Sequence, residues 1–145
     1  MKEVMDPLCN SWYALLNGNL SYDTREVKVY PEDADNDDSF HHVLIRAESE
    51  TDNSNKSVFV RRPVIIIEIV TKFDGLINTS VARNIGDQIR GLVFPTRKCA
   101  LPPLTGLQIT NVELQSSNPL KDDDGVKRIY RIVNRFIHRI TQTNN

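Results

Sequence analysis

Residues 58–74 read VFVRRPVIIIEIVTKFD, and this stretch decides the fold. Between positions 64 and 70 every side chain except Glu68 is apolar, and most are branched at Cβ. Such side chains suit a pleated strand because their χ1 angle is restricted. Pro63 would interrupt a helix, and it has no N–H to give to a sheet. We therefore predict a central strand covered on both faces, with a bulge or an unpaired edge at the two arginines that precede the proline.

The composition indicates a single globular domain over residues 1–145, with 39% hydrophobic and 26% charged side chains. No apolar run approaches the ~20 residues that a bilayer requires, and the N-terminus lacks the apolar region of a secretory signal. We therefore expect a protein that is made and used without export. The net charge of −1 argues against global attraction to nucleic acid or membrane. Any role for charge must come from its distribution along the chain.

Two helices are predicted, each from an apolar stripe and its end signals. Asp6 followed by proline is typical of a helix N-terminus, so the first helix is expected over residues 7–17, after an arm of residues 1–5. The second is expected over residues 80–94, after an N-cap signal in residues 78–80.

Further strands are indicated by alternating polar and apolar residues. We predict a short strand over 26–30, a strand over 40–50 joined to the central strand by a polar hairpin at 51–57, and a strand over 107–115 with a bulge near Asn111. We expect a polar turn over 116–125 and a frayed tail over 141–145.

The segment 126–140 fits two structures. Apolar residues recur at helical spacing, with arginines opposite. The same run is rich in β-branched residues, follows an Asp-Gly turn signal and alternates along one face. That face would carry Ile129, Arg131, Val133, Arg135, Ile137 and Arg139. We prefer a strand that pairs with residues 107–115, and the family resemblance given below adds to this preference.

Catalytic and metal-binding patterns are weak. The chain contains no glycine-rich phosphate loop or nucleophile elbow, and we expect no enzyme activity, metal or cofactor. Cys9 and Cys99 have no metal-ligand spacing, which favours thiols over a disulfide or metal site. His41 and His42 would point to opposite faces of a strand and are expected to be solvated.

The acidic loop after residue 31 could form a Ca²⁺ site, because Asp33, Asp35 and Asp37 occupy alternate positions as in an EF-hand loop. Asp38 and Leu44 stand where that loop needs its glycine and its glutamate. A solvated connection is therefore the preferred interpretation.

Charge is unevenly distributed along the chain. The C-terminal segment is basic, with Lys127, Arg128, Arg131, Arg135, His138 and Arg139. The structural alternative is the solvated face of an amphipathic element. The functional alternative is contact with phosphates, or with the acidic loops of a neighbouring copy, because complementary charge orients such contacts. Glu68 would be costly if buried without a partner, so we expect it to pair with a lysine or arginine, within the chain or across a subunit boundary.

The order of elements resembles that of the tail-terminator, tail-completion and neck proteins of tailed bacteriophages. The similarity lies in residues 12–18 (WYALLNG), in 27–30 (VKVY) before the acidic loop, in 64–73, in the helix 80–94 and in the Asp-Gly turn at 124–125. It covers nearly the whole chain. The resemblance implies an α+β subunit with a mostly antiparallel sheet of about five strands flanked by two helices.

The resemblance also implies a function without a chemical step. Proteins of this family assemble into rings at the head–tail junction, stack on portal or adaptor proteins and surround the channel through which DNA passes. We thus expect a virion protein that is present in the host cytoplasm during assembly and has itself, other tail proteins and DNA as partners, without sequence specificity and without a membrane. The alternative is a small nucleic-acid-binding module that uses the arginine-rich segment. The residues expected at subunit interfaces are Glu68, Asp33, Asp35, Asp37, Asp122, Asp123, Asp124 and Arg128, and those expected to face a lumen or nucleic acid are Arg131, Arg135 and Arg139.

Overall fold

The structure of the chain is a computed structural model, and it describes residues 4–31, 40–52, 59–96, 98–123 and 125–142. In chain order the elements are α1 (Met5–Leu16), β1 (Ser21–Tyr22), β2 (Arg25–Glu26), β3 (Lys28–Pro31), β4 (His42–Asp52), β5 (Val60–Phe73), α2 (Thr79–Val93), β6 (Leu107–Asp123) and β7 (Arg128–Gln142). Strands β1 and β2 form a small antiparallel pair, and the other five strands form the main sheet.

The main sheet has the order β3-β4-β5-β7-β6. Strand β3 runs parallel to β4, and the remaining neighbours are antiparallel. Strand β5 lies at the centre, as residues 64–70 indicate. The predicted α+β class, with a mostly antiparallel five-stranded sheet and two helices, is confirmed.

Both helices of the described chain pack on the same face of the main sheet, where the core forms. From α1, Trp12 packs on Phe136 of β7 with ring centroids 4.7 Å apart. From α2, Ile85 and Ile89 lie in the same fully buried cluster as Ile67 of β5. Burying each of these large apolar side chains contributes about 1.5–3 kcal/mol to folding. The molecule therefore has two layers, with helices on one side only.

Pro63 has the effect that its missing N–H predicts. The ladder between β5 and β7 pairs Arg61 with Ile140 and resumes at Val64 with Ile137. On the other side, β4 has a bulge between Ala47 and Ser49, opposite the start of the apolar run. Residues 64–71 are buried except for Ile66, which is half-buried.

The ambiguous C-terminal segment is the strand β7, and its pairing with β6 confirms the preferred alternative. The bulge expected near Asn111 is present as a register shift between Ile109 and Asn111, and a second shift lies between Leu114 and Ser116. The polar turn predicted over 116–125 is wrong in extent, because β6 continues to Asp123. Its polar side chains are tolerated since this half of β6 is an exposed edge paired with β7.

The helix boundaries differ slightly from those predicted. Helix α1 starts at Met5 rather than residue 7, and its N-cap is Val4, whose side chain makes no capping hydrogen bond. Val4 is fully buried, so apolar burial helps to fix this end of the helix. Helix α2 is capped as predicted, with Asn78 Oδ1 accepting a hydrogen bond from the Ser80 N–H at 3.1 Å.

Candidate functional site

The sheet face opposite the helices carries a cluster of charges that we call the charged face, formed by Arg46, Glu48, Glu68, Arg131 and Arg135. The register of β5 with β7 puts Glu68 opposite Val133, and Arg131 and Arg135 are on the same face two residues to either side. The alternation predicted for β7 is thus realised. Both helices of the described chain lie on the other side, so solvent or a partner can reach this face.

Glu68 is the most buried charge on this face. Its side chain is 7% exposed and lies between two guanidinium groups, with Arg46 Nη2 3.3 Å from Oε2 and Arg131 Nη1 3.5 Å from Oε1. The pairing expected for Glu68 exists within one chain, which satisfies a carboxylate that would otherwise be costly to bury. Its place at a subunit interface stays a prediction. The three groups together leave one excess positive charge.

The other two arginines of the predicted lumen set are also partnered. Arg135 Nη1 forms an ion pair with Glu48 Oε1, and Arg139 Nη1 donates to Thr110 Oγ1 at 3.1 Å. The structure brings Arg131 and Arg135 together with acidic groups that reduce their net charge. Sequence reasoning did not anticipate Glu48 or Arg46 here, although both lie in the predicted strand 40–50.

The remaining predicted interface residues lie away from the charged cluster. Asp122 and Asp123 end β6 and are exposed, and Arg128 begins β7 opposite Asp123. Asp123 Oδ1 accepts from the Gly125 N–H at 2.7 Å, so this carboxylate shapes the turn. Asp33, Asp35, Asp37 and Asp124 lie outside the described residues.

His138 was grouped with the basic residues, and this is wrong. It is 1% exposed, and even-numbered β7 positions near it face the helices while the arginines face away. Trp12 Nε1–H donates to His138 Nε2 at 2.8 Å, and His138 Nδ1 lies 3.0 Å from the Pro63 carbonyl oxygen. This arrangement fits a neutral ring that donates from Nδ1. Burial lowers the pKa of His138 to about 4.

His41 and His42 are buried, at 7% and 2% exposure, so the prediction of solvated histidines is wrong. They point to opposite faces as expected. His41 packs against Phe40, Tyr22 and Phe73, whereas His42 packs against Tyr30. Burial, with smaller contributions from nearby His42, Lys127 and Arg25, lowers the pKa of His41. Aromatic neighbours on adjoining elements supply the apolar surroundings that the local sequence did not reveal.

An apolar cavity of about 570 Å³ opens between α1 and the β3–β4 side of the sheet. Its floor is formed by Pro31, Ile45 and Ala47, and one wall is formed by Asp6, Cys9, Asn10 and Tyr13 of α1. Tyr13 is 39% exposed at the rim. No local pattern in the sequence indicates this cavity, because its walls come from elements distant in the chain. We call it the α1 cavity.

Two large apolar side chains are strongly exposed at the opposite end of the sheet. Leu76, in the turn after β5, is 87% exposed, and Val126, in the turn before β7, is 83% exposed. The two turns are held together by an ion pair between Lys127 Nζ and Asp74 Oδ1 at 3.3 Å. We call Leu76 and Val126 the apolar tips.

Metal binding and thiol chemistry have little support in the part of the chain that the structure describes. No group of three histidine, cysteine or acidic side chains there could hold a metal ion. Cys9 and Cys99, both within the described ranges, form no disulfide. Burial raises the pKa of the Cys99 thiol, which disfavours the nucleophilic thiolate. Neither described helix is long and apolar enough to span a bilayer.

Comparison with known proteins identifies a shared fold. No protein-family model and no curated protein matches the sequence. Among solved structures, the chain is similar to one described as belonging to the "Virion of native gene transfer agent (GTA) particle", with a TM-score of 0.62. The two sequences are 15% identical, and the match covers 90% of this chain and 84% of that chain. Nearly the whole molecule therefore shares its architecture with a chain of a virion particle.

Proposed function

We propose that this protein is a structural virion component that forms a ring in the head–tail connector or tail of a bacteriophage. In this role it stacks on portal, adaptor or other tail proteins and surrounds the DNA channel. The observation that carries the proposal is the fold shared with a virion chain over 90% of the sequence. It agrees with the family resemblance of the element order, which was drawn from the sequence alone.

The distribution of charge supports assembly from copies of the same chain. The charged face holds more arginine than acid, because Glu68 is shared by Arg46 and Arg131. Acidic residues are concentrated elsewhere, at Asp122 and Asp123 and in the segment that contains Asp33, Asp35 and Asp37. A ring requires a heterologous contact, in which one surface meets a different surface of the next copy. Complementary charge at separate places provides orientation for such a contact.

The proposed activity is binding geometry without a chemical step. The buried polar groups His138 and Glu68 are engaged in structural hydrogen bonds and ion pairs. The protein would assemble in the host cytoplasm and act in the virion, with no cofactor. DNA would pass through the ring without sequence-specific contacts.

A free nucleic-acid-binding module is the second candidate, favoured by the arginines that β7 places on one face. The ion pairs that these arginines already form argue against this second function. Arg131 and Arg135 are each paired with a glutamate, so a phosphate would have to compete with a carboxylate already in place. Phosphate binding by this face would weaken steeply as salt is raised.

The mass of the purified protein distinguishes the two functions. We expect native mass spectrometry and light scattering to detect a discrete oligomer, alone or with neighbouring particle proteins, and negative-stain images to show closed rings. The protein should also be present in purified virions. A monomer that binds DNA at low salt, or absence from virions, would contradict the proposal.

A further inference from the structure

We propose that the apolar tips of one subunit insert into the α1 cavity of the next, and that this is the contact that closes the ring. The inference rests on the proposed function and specifies its interface. Both surfaces are described above: a concave apolar site of about 570 Å³ and two exposed apolar side chains on turns joined by an ion pair.

The two surfaces cannot meet within one chain. The floor of the cavity lies at Ile45 and Ala47, which pair with Ile67 and Ile65 of β5. The tips lie beyond Phe73, the last residue of β5. Six or more strand residues separate the two positions, which corresponds to roughly 20 Å along the sheet. Only another copy can place its tips in this cavity.

Apolar exposure gives the contact its driving force. Single apolar residues on a surface need no explanation, but these two lie on turns that an ion pair joins. Leu76 and Val126 are the two most exposed large apolar residues in the described chain. The cavity offers them apolar surface at Pro31, at Ala47 and on the ring of Tyr13. Contact removes both surfaces from water, which is the dominant favourable contribution in most associations.

Charge at the edges of the two surfaces favours the same orientation. Asp6 lines the cavity at the α1 wall. Arg128, which is exposed, follows Val126 by two residues. Docking of the tips brings opposite charges to the rim of the contact, where they orient the partners more than they strengthen binding. Arg128 was predicted at an interface from the sequence, and this geometry gives it a partner.

The contact is heterologous, because the donor and acceptor surfaces are different and lie far apart on each subunit. Such contacts leave one tip and one cavity unfilled in any open chain of subunits. A closed ring fills all of them. A symmetric dimer of tip against tip would leave the cavities empty and is a different assembly.

Cysteine cross-linking tests the contact directly, because Cys9 already lines the cavity. In a Cys99→Ser background, Val126→Cys and Leu76→Cys each place one new thiol at a tip. We expect mild oxidation to give intersubunit disulfides, detected on non-reducing gels and assigned as 9–126 or 9–76 by peptide mass spectrometry. The matched control is Leu120→Cys, which is 53% exposed on β6, outside both turns and three residues before the strand ends. Adding Cys9→Ser should abolish the tip cross-links.

A second measurement uses polar substitutions. Leu76→Ser and Val126→Ser change exposed side chains and should leave the monomer folded. We expect each to weaken subunit association by about tenfold or more, since a buried apolar side chain is lost from every contact, whereas Leu120→Ser should not. Intact rings with no enrichment of 9–126 or 9–76 linkages over 9–120 would overturn the contact and leave the proposed function standing. A protein that stays monomeric both alone and with its particle partners would overturn both.

Discussion

The buried His138 should make stability depend on pH in a defined window. Its pKa is lowered to about 4 by burial, from an ordinary value of 6.5. Between these values the unfolded chain binds a proton that the folded chain does not, so stability is fully present above pH 6.5 and falls as the pH decreases towards 4. The difference between the two pKa values lowers the free energy of unfolding by about 3 kcal/mol at pH 4 and by about 2 kcal/mol at pH 5.

The geometry explains the loss. Protonation of Nε2 would turn the acceptor of the Trp12 N–H hydrogen bond into a second donor, while Nδ1 remains directed at the Pro63 carbonyl oxygen. Burying the charged imidazolium is unfavourable, and so is placing its Nε2–H against the N–H of Trp12 without an acceptor between them. Acidification should therefore loosen α1 from β7, because Trp12 is the α1 side chain held there.

The measurement is urea unfolding at a series of pH values between 7 and 4, followed by the fluorescence of Trp12, the single tryptophan of the chain. The matched control is His138→Gln, whose amide can accept from Trp12 and donate to Pro63 without titrating. We expect the free energy of unfolding of the native protein to fall by about 3 kcal/mol relative to this variant across the window. His41 and the carboxylates are common to both proteins, so their contributions cancel. A constant difference between pH 7 and 4 would refute the argument, as would an NMR titration that puts the pKa of His138 at or above 6.5.

Three further predictions concern stability. Glu68→Gln should lower the free energy of unfolding by about 1–3 kcal/mol, because Arg46 and Arg131 lose their shared carboxylate; Glu113→Gln on the exposed edge is the control, and equal effects in a denaturant titration would contradict this reasoning. A Cβ added at Gly91 in α2 meets no atom within 4 Å, so Gly91→Ala should raise the free energy of unfolding by about 0.5–1 kcal/mol. Gly18 has φ +78°, so Gly18→Ala should lower the free energy of unfolding by about 1–2 kcal/mol. Thermal unfolding should shift the two variants in opposite directions, and a shift of both in one direction would exclude the backbone explanation. Asn78→Ala should cost about 1 kcal/mol through loss of the α2 cap, which circular dichroism during urea unfolding can measure, and no loss would show that the cap contributes little.

Much of the fold could be predicted because the sheet pattern is strong where the core is. The apolar run indicated that β5 is the central strand, and the alternation indicated that residues 126–140 form a strand paired with β6. The place of β7 directly beside β5 was not predicted. The same alternation could have separated His138 from Arg131 and Arg135, since its position differs from theirs by an odd number. Grouping by charge hid that difference.

Other features depend on elements distant in the sequence. The second half of β6 is polar and has no strand signal of its own, and only pairing with β7 makes it extended. His41 is buried by Tyr22 and Phe73, which come from β1 and β5. The α1 cavity combines residues from near position 10 with residues near position 45. Local sequence patterns carry no information about contacts between residues so far apart in the chain.

Strand β6 lies at an edge of the sheet, where another copy of the chain could pair with it. Seventeen residues of extended backbone lie at the border of the sheet, where within the described chain they pair with β7 alone. Pro119 removes one donor there, two irregularities twist the strand, and Lys121 adds a charge. Natural sheets use such features to prevent edge-to-edge pairing with other copies of the same protein. We therefore expect the isolated chain to remain dispersed at high concentration rather than to grow into fibres.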